Sequence, residues 1–250
     1  MKIPIPTARD IQAFQHDGGF ITIAADTLGA VGEKPGDQIC VAPEICGRMT
    51  ARVCLMETLA AGAQPFALTA LTCNEYEPTG VRLMAGIQKE IEEAGFSDLP
   101  VSGSSEDNMQ TNMTALGITL LGECDQLLWR LAEEGDGVYL LGLPYVGQEV
   151  LEHFDDMPGV PQLRQLREMP GVGDIIPCGS RGIAWELQVL ERETGLSVKL
   201  NSELHCALLQ KSAGPATCAV FTASKNLENM KYRVIRIGTL VRSFDVFQKL

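Results

Sequence analysis

The sequence predicts an α+β protein of two domains. Between residues 20 and 124 the periodic patterns follow the order strand, helix, strand, helix, strand, strand, and a second alternation begins after residue 124. Two helices interleaved with strands in this way indicate a sheet with both helices on one face. The 250-residue chain is long enough for two ordinary domains. We place their boundary at residue 130, which gives predicted domains 1–130 and 131–250.

Composition and charge exclude several classes of partner. The formal net charge is -12, and no run of Lys or Arg supplies a basic patch. Such a field argues against nucleic acid or an anionic membrane as a partner. The apolar runs are short, so no segment is expected to span a bilayer. The start, MKIPIPTARDIQAF, carries two prolines and early charges, unlike a signal peptide.

The eight cysteines occur singly in apolar segments, and none forms a C-x-x-C pair. Single buried cysteines are typical of reduced thiols, so we predict a cytoplasmic location. The three histidines show no spacing typical of metal ligands.

Residues 20–37, FITIAADTLGAVGEKPGD, carry the first candidate site. The segment begins as a strand whose residues alternate between two faces, and Asp26 ends it on the face of Thr22 and Ala24. A glycine-rich loop with a single Lys34 follows. One carboxylate, one lysine and a flexible backbone suit a metal-bridged phosphate. The alternative is a polar strand end followed by a surface loop.

The first helix begins at Pro43, which is favourable in a first helical turn. Glu44 and Arg48 are four residues apart and are predicted to pair on the solvent side. Glu57 lies at the edge of the buried stripe, where a carboxylate needs a partner. That partner is either an arginine elsewhere or a metal shared with Asp26. The predicted buried stripe consists of Ile45, Met49, Val53, Met56 and Ala60.

The remaining elements are predicted from the same two periodicities, two residues for strands and about 3.6 residues for helices. In the first half we predict strands over 38–41, 66–73, 99–102 and 114–124 and a helix over 81–95. In the second half we predict strands over 137–143, 174–178, 196–200, 216–223, 232–238 and 239–247 and helices over 148–154, 163–169, 183–194 and 203–210, with a short helix after 223.

A candidate anion site precedes the helix over 183–194. Gly179, Ser180, Arg181 and Gly182 lead into it. Free N–H groups, a serine cap and an arginine together indicate anion binding. The alternative is an ordinary helix start with a surface arginine.

Three N-terminal segments resemble, in the same order, those of the aminoimidazole ribonucleotide synthetase superfamily, which includes thiamine-monophosphate kinase and selenophosphate synthetase. In ITIAADTLGAVGEKPGD, Asp26 and Lys34 match the acid and lysine of the first segment. In TARVCLMETLAAGAQPFALTALTC, Glu57 takes the position of a helix Asp. In VSGSSEDNMQTNMTALGITLLGE, Glu106 takes the acid of a Gly-Gly-Asp-Thr loop, with Ser105 as its rival. GDGVYLLG and CGSRGIAWEL resemble a second-domain strand and a Ser-Asp-Gly-Leu helix start.

The resemblance implies a ferredoxin-like N-terminal α/β domain that dimerises through its sheet and a smaller C-terminal α/β domain. It implies phosphoryl transfer from ATP with Mg²⁺, which lets acidic side chains hold a triphosphate. The implied catalytic residues are Asp26, Lys34 and Glu106, and the implied metal ligands are Asp26, Glu57, Glu106 and Asp107. The implied contacts to ATP are Gly32, Gly103, Ser104, Ser105 and Asn108, and those to the acceptor are Asn74, Ser180 and Arg181.

Departures from the family pattern narrow the expected activity. ARDIQAFQHDGG stands where the family's kinases carry a Gly-Asp-Asp element, Arg181 replaces an Asp, and SAGPATC replaces a Gly-Glu-Asp-like element. These losses disfavour a thiamine-monophosphate kinase. The runs NEYEPTG, GSSEDN and CGSRGI favour a branch associated with α-ribazole kinase. The alternatives are a thiamine-monophosphate kinase-like enzyme and a non-catalytic nucleotide-binding member.

Overall fold

The computed structural model describes residues 2–202, 205–225, 227 and 233–242. The first half of the chain builds a six-stranded sheet with the order β1-β2-β3-β8-β6-β7, in which only β6 and β7 are parallel. Its strands are β1 (Ile3–Ile5), β2 (Ile11–His16), β3 (Gly19–Gly29), β6 (Gln64–Thr72), β7 (Val101–Ser105) and β8 (Ala115–Cys124). The short strands β4 (Val31–Gly32) and β5 (Ile39–Cys40) form a separate parallel pair.

Two long helices cover one face of this sheet, as predicted. Helix α1 (Pro43–Ala60) packs on β3, β6 and β8, and α2 (Val81–Glu93) packs on α1. The two helices cross closely at two glycines: a Cβ atom on Gly47 would lie 2.0 Å from the Leu83 carbonyl oxygen, and one on Gly86 would lie 1.9 Å from that of Glu44. The crossing therefore depends on the missing side chains.

Helix α1 is buried on nearly all sides, which corrects two predictions. The predicted Glu44–Arg48 pair does not form, because Arg48 is buried and binds Glu90 of α2. Glu44 instead binds Arg82. Among the residues of the predicted buried stripe, Ile45 and Val53 are only half-buried and line a cavity described below. The reason is that α2 and the second half of the chain, rather than solvent, cover the outer side of α1.

The second half builds a five-stranded antiparallel sheet with the order β10-β12-β9-β13-β11. Its strands are β9 (Gly137–Gly142), β10 (Val172–Pro177), β11 (Leu196–Leu200), β12 (Cys218–Ala223) and β13 (Val234–Arg242). The helices are α3 (Gln148–Glu152), α4 (Val160–Glu168), α5 (Ile183–Thr194) and α6 (Cys206–Gln210).

Most predicted elements are present among the described residues, with the following differences. The hairpin of β1 and β2 was not predicted. One strand, β13, replaces the two predicted strands up to residue 242, and the predicted remainder over 243–247 lies outside the described residues. Residues 203 and 204 of a predicted helix and most of the short helix after 223 also lie outside them.

A continuous apolar core joins the two sheets. It includes Leu55 of α1, Leu120 of β8, Leu163 of α4 and Phe221 of β12, all of which are fully buried. The predicted boundary at residue 130 separates the two sheets in sequence, and the division into domains 1–130 and 131–250 stays a prediction. Among the described residues, no helix is long and apolar enough to cross a membrane.

Candidate active site

A cavity of about 850 Å³ lies between the two halves of the chain. The first half contributes β3, the β4–β5 pair and α1 to its walls. The second half contributes the segment around α3, the end of β10 and residues 212–216. The cavity therefore exists only because α1 faces both the first sheet and the second half.

Asp26 lines this cavity from within β3. The strand continues to Gly29, and Asp26 pairs with Ile118 of β8, so the prediction that Asp26 ends the strand was wrong. The predicted alternation of faces is confirmed, since Thr22 and Ala24 are buried on the side of α1. Burial raises the pKa of Asp26 to about 6, and the Thr27 backbone N–H offsets part of this effect.

Glu57 lines the same cavity from α1. Burial raises the pKa of Glu57 well above its ordinary value, and the nearby carboxylates Glu186 and Asp10 raise it further. The cation Arg9 offsets part of this shift. The alternative that an arginine satisfies Glu57 is only partly met, because Arg9 hydrogen-bonds to Asp174 instead.

Asp10 and Glu186 are the site residues that sequence reasoning missed. Asp10 lies just before β2 and lines the cavity. Glu186 of α5 is 4% exposed, and burial raises its pKa to about 7. A Cβ atom on Gly179 would lie 3.9 Å from Asp10 Oδ2 and equally far from Glu186 Oε1, so both carboxylates flank the same loop. For Asp10 the available signal was the ARD preceding an alternating strand pattern.

These carboxylates suit Mg²⁺ that arrives with a nucleotide. Within the described part of the chain, no three acidic, histidine or cysteine side chains are placed to hold a metal by themselves. Mg²⁺ usually keeps several waters and binds one or two carboxylates together with substrate phosphates. Asp10, Asp26 and Glu57 fit that mode, because all three face one cavity.

Lys34, in the glycine-rich loop after β3, does not line the cavity. Lys34 Nζ donates to Glu75 Oε2 at 2.7 Å and to the Thr111 carbonyl at 3.3 Å. Gly32 packs against Thr114, whose Oγ1 would lie 2.1 Å from an added Cβ atom. The loop is therefore docked on residues 111–114.

Gly103, Ser104 and Ser105 lie in β7 rather than in a loop. An added Cβ on Gly103 would lie 2.3 Å from the carbonyl oxygen of the neighbouring strand residue Ala70, which explains the glycine. The three residues are exposed or half-buried, and none lines the cavity.

The predicted acids after β7 are separated from Asp26. Asp107 accepts hydrogen bonds from the Tyr76 N–H at 2.9 Å and the Ser105 hydroxyl at 2.5 Å. Glu106 accepts one from the Asn108 N–H at 2.9 Å. Three strand spacings separate β7 from β3, or about 14 Å. Within one chain the structure therefore does not bring these acids to Asp26.

The three predicted acceptor contacts have different surroundings. Ser180 lines the cavity, but the N-cap of α5 is Gly182, so the predicted serine cap is wrong. Arg181 is exposed, with its guanidinium carbon 4.3 Å from the centre of the Trp185 ring. Asn74 is fully buried and does not line the cavity.

Asn74 instead holds a loop together. Its side-chain amide donates to the Thr111 hydroxyl at 2.7 Å and to the Met113 carbonyl at 2.8 Å. The side-chain oxygen of Asn74 accepts a hydrogen bond from the Ala115 N–H at 2.9 Å. The same loop contacts Lys34. These bonds give Asn74 a structural role in this conformation.

Comparison with known proteins gives a structural likeness without a sequence match. No family model matches the chain, and no curated protein matches it. The thiamine monophosphate kinase of Aquifex aeolicus has a TM-score of 0.69 and 15% identity, over 93% of this chain and 89% of that chain. The structure "AaThiL complexed with AMPPCP and TMP" has a TM-score of 0.68 and 14% identity, over 94% of this chain and 85% of that chain.

Other solved structures repeat this result. The thiamine-monophosphate kinase of Stenotrophomonas maltophilia has a TM-score of 0.62 and 16% identity, over 96% of this chain and 89% of that chain. PurL in the PurLQS structure from Thermotoga maritima gives 0.60 and 18% identity over 95% of this chain and 38% of the longer one. At these identities the likeness concerns the fold: the chain has the mixed α/β fold of thiamine monophosphate kinase, and a part of the longer PurLQS chain has the same fold.

Proposed function

We propose that this protein is an ATP-dependent kinase that transfers the γ-phosphoryl group to the 5′-hydroxyl of a riboside. The observation that carries the proposal is the convergence of Asp10, Asp26 and Glu57 with Ser180 on one cavity. Phosphoryl transfer depends mainly on positioning and charge neutralisation, and carboxylates that share a cavity suit this requirement. The similar fold of the Aquifex aeolicus thiamine monophosphate kinase, whose structure was determined in complex with AMPPCP and TMP, supports the same reaction class.

The proposed roles follow from where the side chains lie. Mg²⁺ that arrives with ATP would supply charge neutralisation for the phosphates. Asp26 of β3 and Glu57 of α1 would hold it, and Asp10, which lines the same cavity, would be near enough to Glu57 to join them. The Ser180 hydroxyl lies on the wall formed by the second half and can orient the acceptor hydroxyl. Asp26 must lose its proton to bind the metal, because only the ionised carboxylate is a strong ligand.

The acceptor proposed is α-ribazole, the nucleoside of the cobamide lower ligand. None of the described residues that line the cavity is a lysine, arginine or histidine. A phosphorylated acceptor would add negative charge beside three acids without a cation in the wall to receive it. An uncharged riboside avoids that repulsion. Cytoplasmic cobamide assembly or salvage is the corresponding role.

The contacts to ATP and metal that the family resemblance implies are also part of the proposal. Gly32, Lys34 and the residues from Gly103 to Asn108 are proposed to contact ATP phosphates, with Glu106 and Asp107 as metal ligands. In this conformation Lys34 binds Glu75, so phosphate binding must replace that ion pair. We also propose a homodimer through the open face of the six-stranded sheet, where Phe66 and Leu71 are exposed.

A product assay tests the proposed function. Purified protein is incubated with Mg-ATP and with α-ribazole, thiamine monophosphate or adenosine, and the phosphorylated products are separated by chromatography. We expect α-ribazole phosphate and equimolar ADP. Asp26→Asn should abolish turnover, whereas Asp98→Asn, at an exposed aspartate, should retain it.

The second candidate is a thiamine-monophosphate kinase, which the structural likeness favours. The lack of a lysine, arginine or histidine among the described residues that line the cavity disfavours it. Thiamine diphosphate as the product would establish that candidate. Mg-ATP binding without any product from the three acceptors would favour the non-catalytic alternative.

A further inference from the structure

One face of α1 runs along the cavity. Ile45, Met49, Val53 and Glu57 recur every four residues, and all four line it. Four-residue spacing keeps side chains on one helix face, and twelve residues of helix rise about 18 Å. This stripe therefore has a carboxylate at one end and apolar side chains over the rest. We call the part of the cavity from Val53 to Ile45 the apolar half.

Apolar side chains from other elements line the cavity as well. Val150 of α3 packs with Met49 of α1 in a small cluster, so α3 adjoins the helix at the cavity wall. Val146 is 42% exposed, which places the mouth of the cavity on this side. The other large apolar side chains of the walls include Leu28, Val31, Ile39, Val41 and Leu151.

The polar side chains that α1 adds to this half are already engaged. The Thr50 hydroxyl donates to the Cys46 carbonyl at 2.9 Å. The Cys46 thiol lies 3.4 Å from the Val31 carbonyl, to which it donates. A ring with several donors and acceptors would lose its bonds to water here without gaining a side-chain partner from α1, which is costly. A ring poor in hydrogen-bonding groups loses little.

We propose that the apolar half binds the ring of the acceptor and selects a fused aromatic ring with few hydrogen-bonding groups and no phosphate. The inference rests on the proposed function, because it places the acceptor hydroxyl beside the carboxylates at the Glu57 end. From Val53 to Ile45 the helix rises about 12 Å, which accommodates a two-ring system. Purine rings are disfavoured because their amino and ring nitrogen groups would stay unpaired, and for the same reason adenine of ATP does not occupy this half.

The test separates ring binding from turnover. Binding of a benzimidazole riboside is measured by its own fluorescence without ATP, and Mg-ATP binding is measured with a fluorescent ATP analogue. Val53→Phe places a bulky side chain in the cavity between its two ends. We expect at least a tenfold weaker binding of the riboside and a change of less than twofold in Mg-ATP binding.

A matched control is the same substitution on α2. Val81 is half-buried like Val53 but does not line the cavity, so Val81→Phe should leave both affinities unchanged. If Val53→Phe does not fold, as judged by near-ultraviolet circular dichroism, Ile45→Ser tests the same half. In the wild type, adenosine should bind at least tenfold more weakly than the benzimidazole riboside.

Three results would overturn the inference. They are loss of Mg-ATP binding with riboside binding intact, equal affinity for adenosine and the benzimidazole riboside, and unchanged riboside affinity in both cavity variants. Absence of riboside turnover in the wild type would instead count against the proposed function, while the binding measurements still decide where the ring lies.

Discussion

Replacing Asp26 by asparagine should make the metal-free protein more stable. The carboxyl of Asp26 has its pKa raised from 3.8 to about 6 on folding, chiefly because burial disfavours the ionised form. Each pKa unit corresponds to about 1.4 kcal/mol, so the ionised side chain costs the folded state about 3 kcal/mol. Because Asp26 keeps contact with the cavity, we expect a gain of about 2 kcal/mol for Asp26→Asn at pH 8.

The sign of the pH dependence follows from proton binding. Between about pH 4 and pH 6 the folded protein binds more protons at Asp26 than the unfolded chain does. The free energy of unfolding of the wild type therefore falls as pH rises through this window and is constant above about pH 7. Asp26→Asn lacks this dependence. Its advantage should be about half as large at pH 5 as at pH 8 and about a fifth as large at pH 4.

Urea denaturation followed by tryptophan fluorescence measures this difference. The titrations contain EDTA and are repeated at pH 4, 5 and 8 for wild type, Asp26→Asn and the exposed-site control Asp98→Asn. Adding Mg-ATP should stabilise the wild type and not Asp26→Asn, since a ligand stabilises only a protein that binds it. If Asp26→Asn is no more stable than the wild type at pH 8, burial does not destabilise the ionised form of Asp26.

Three further predictions concern binding, turnover and assembly. Mg-ATP affinity, measured by calorimetry, should increase from pH 5 to pH 7, because Asp26, with its pKa raised to about 6, must ionise; a flat profile contradicts this. Arg181→Ala should lower kcat more than it lowers riboside affinity. Arg192→Ala, which removes the other arginine over the Trp185 ring, should leave kcat unchanged. Equal kinetics for the two variants would exclude a role of Arg181 in transfer. Light scattering should give the mass of a dimer, and Leu71→Asp on the open sheet face should reduce it to that of a monomer; a monomeric wild type at micromolar concentration would refute the proposed assembly.

The sequence by itself determined the order of most elements and two of the cavity acids. Periodicities of two and of about 3.6 residues are local properties, so they located β3 and α1 without tertiary information. The same patterns placed Asp26 on the strand face of Thr22 and Ala24 and Glu57 beside the apolar stripe of its helix. They left two partners open for Glu57, an arginine or a metal shared with Asp26.

The tertiary structure decided which residues join them. Asp10 lies in the loop of the β1–β2 hairpin, which was not predicted, and Glu186 follows a helix start whose loop meets Asp10 only after the two halves pack. The resemblance placed Lys34 at the phosphates, but the folded loop gives it Glu75.

The burial of residues on helix α1 was also decided by the tertiary structure. Spacing predicted that Arg48 would pair with Glu44 in solvent, yet α2 covers that side of α1 and supplies Glu90. Spacing also assigned Ile45 and Val53 to the core, whereas they line the cavity. A periodic pattern indicates which face of a helix is apolar, but the elements that pack against that face decide whether it meets a core or a cavity, because burial depends on contacts between residues distant in sequence.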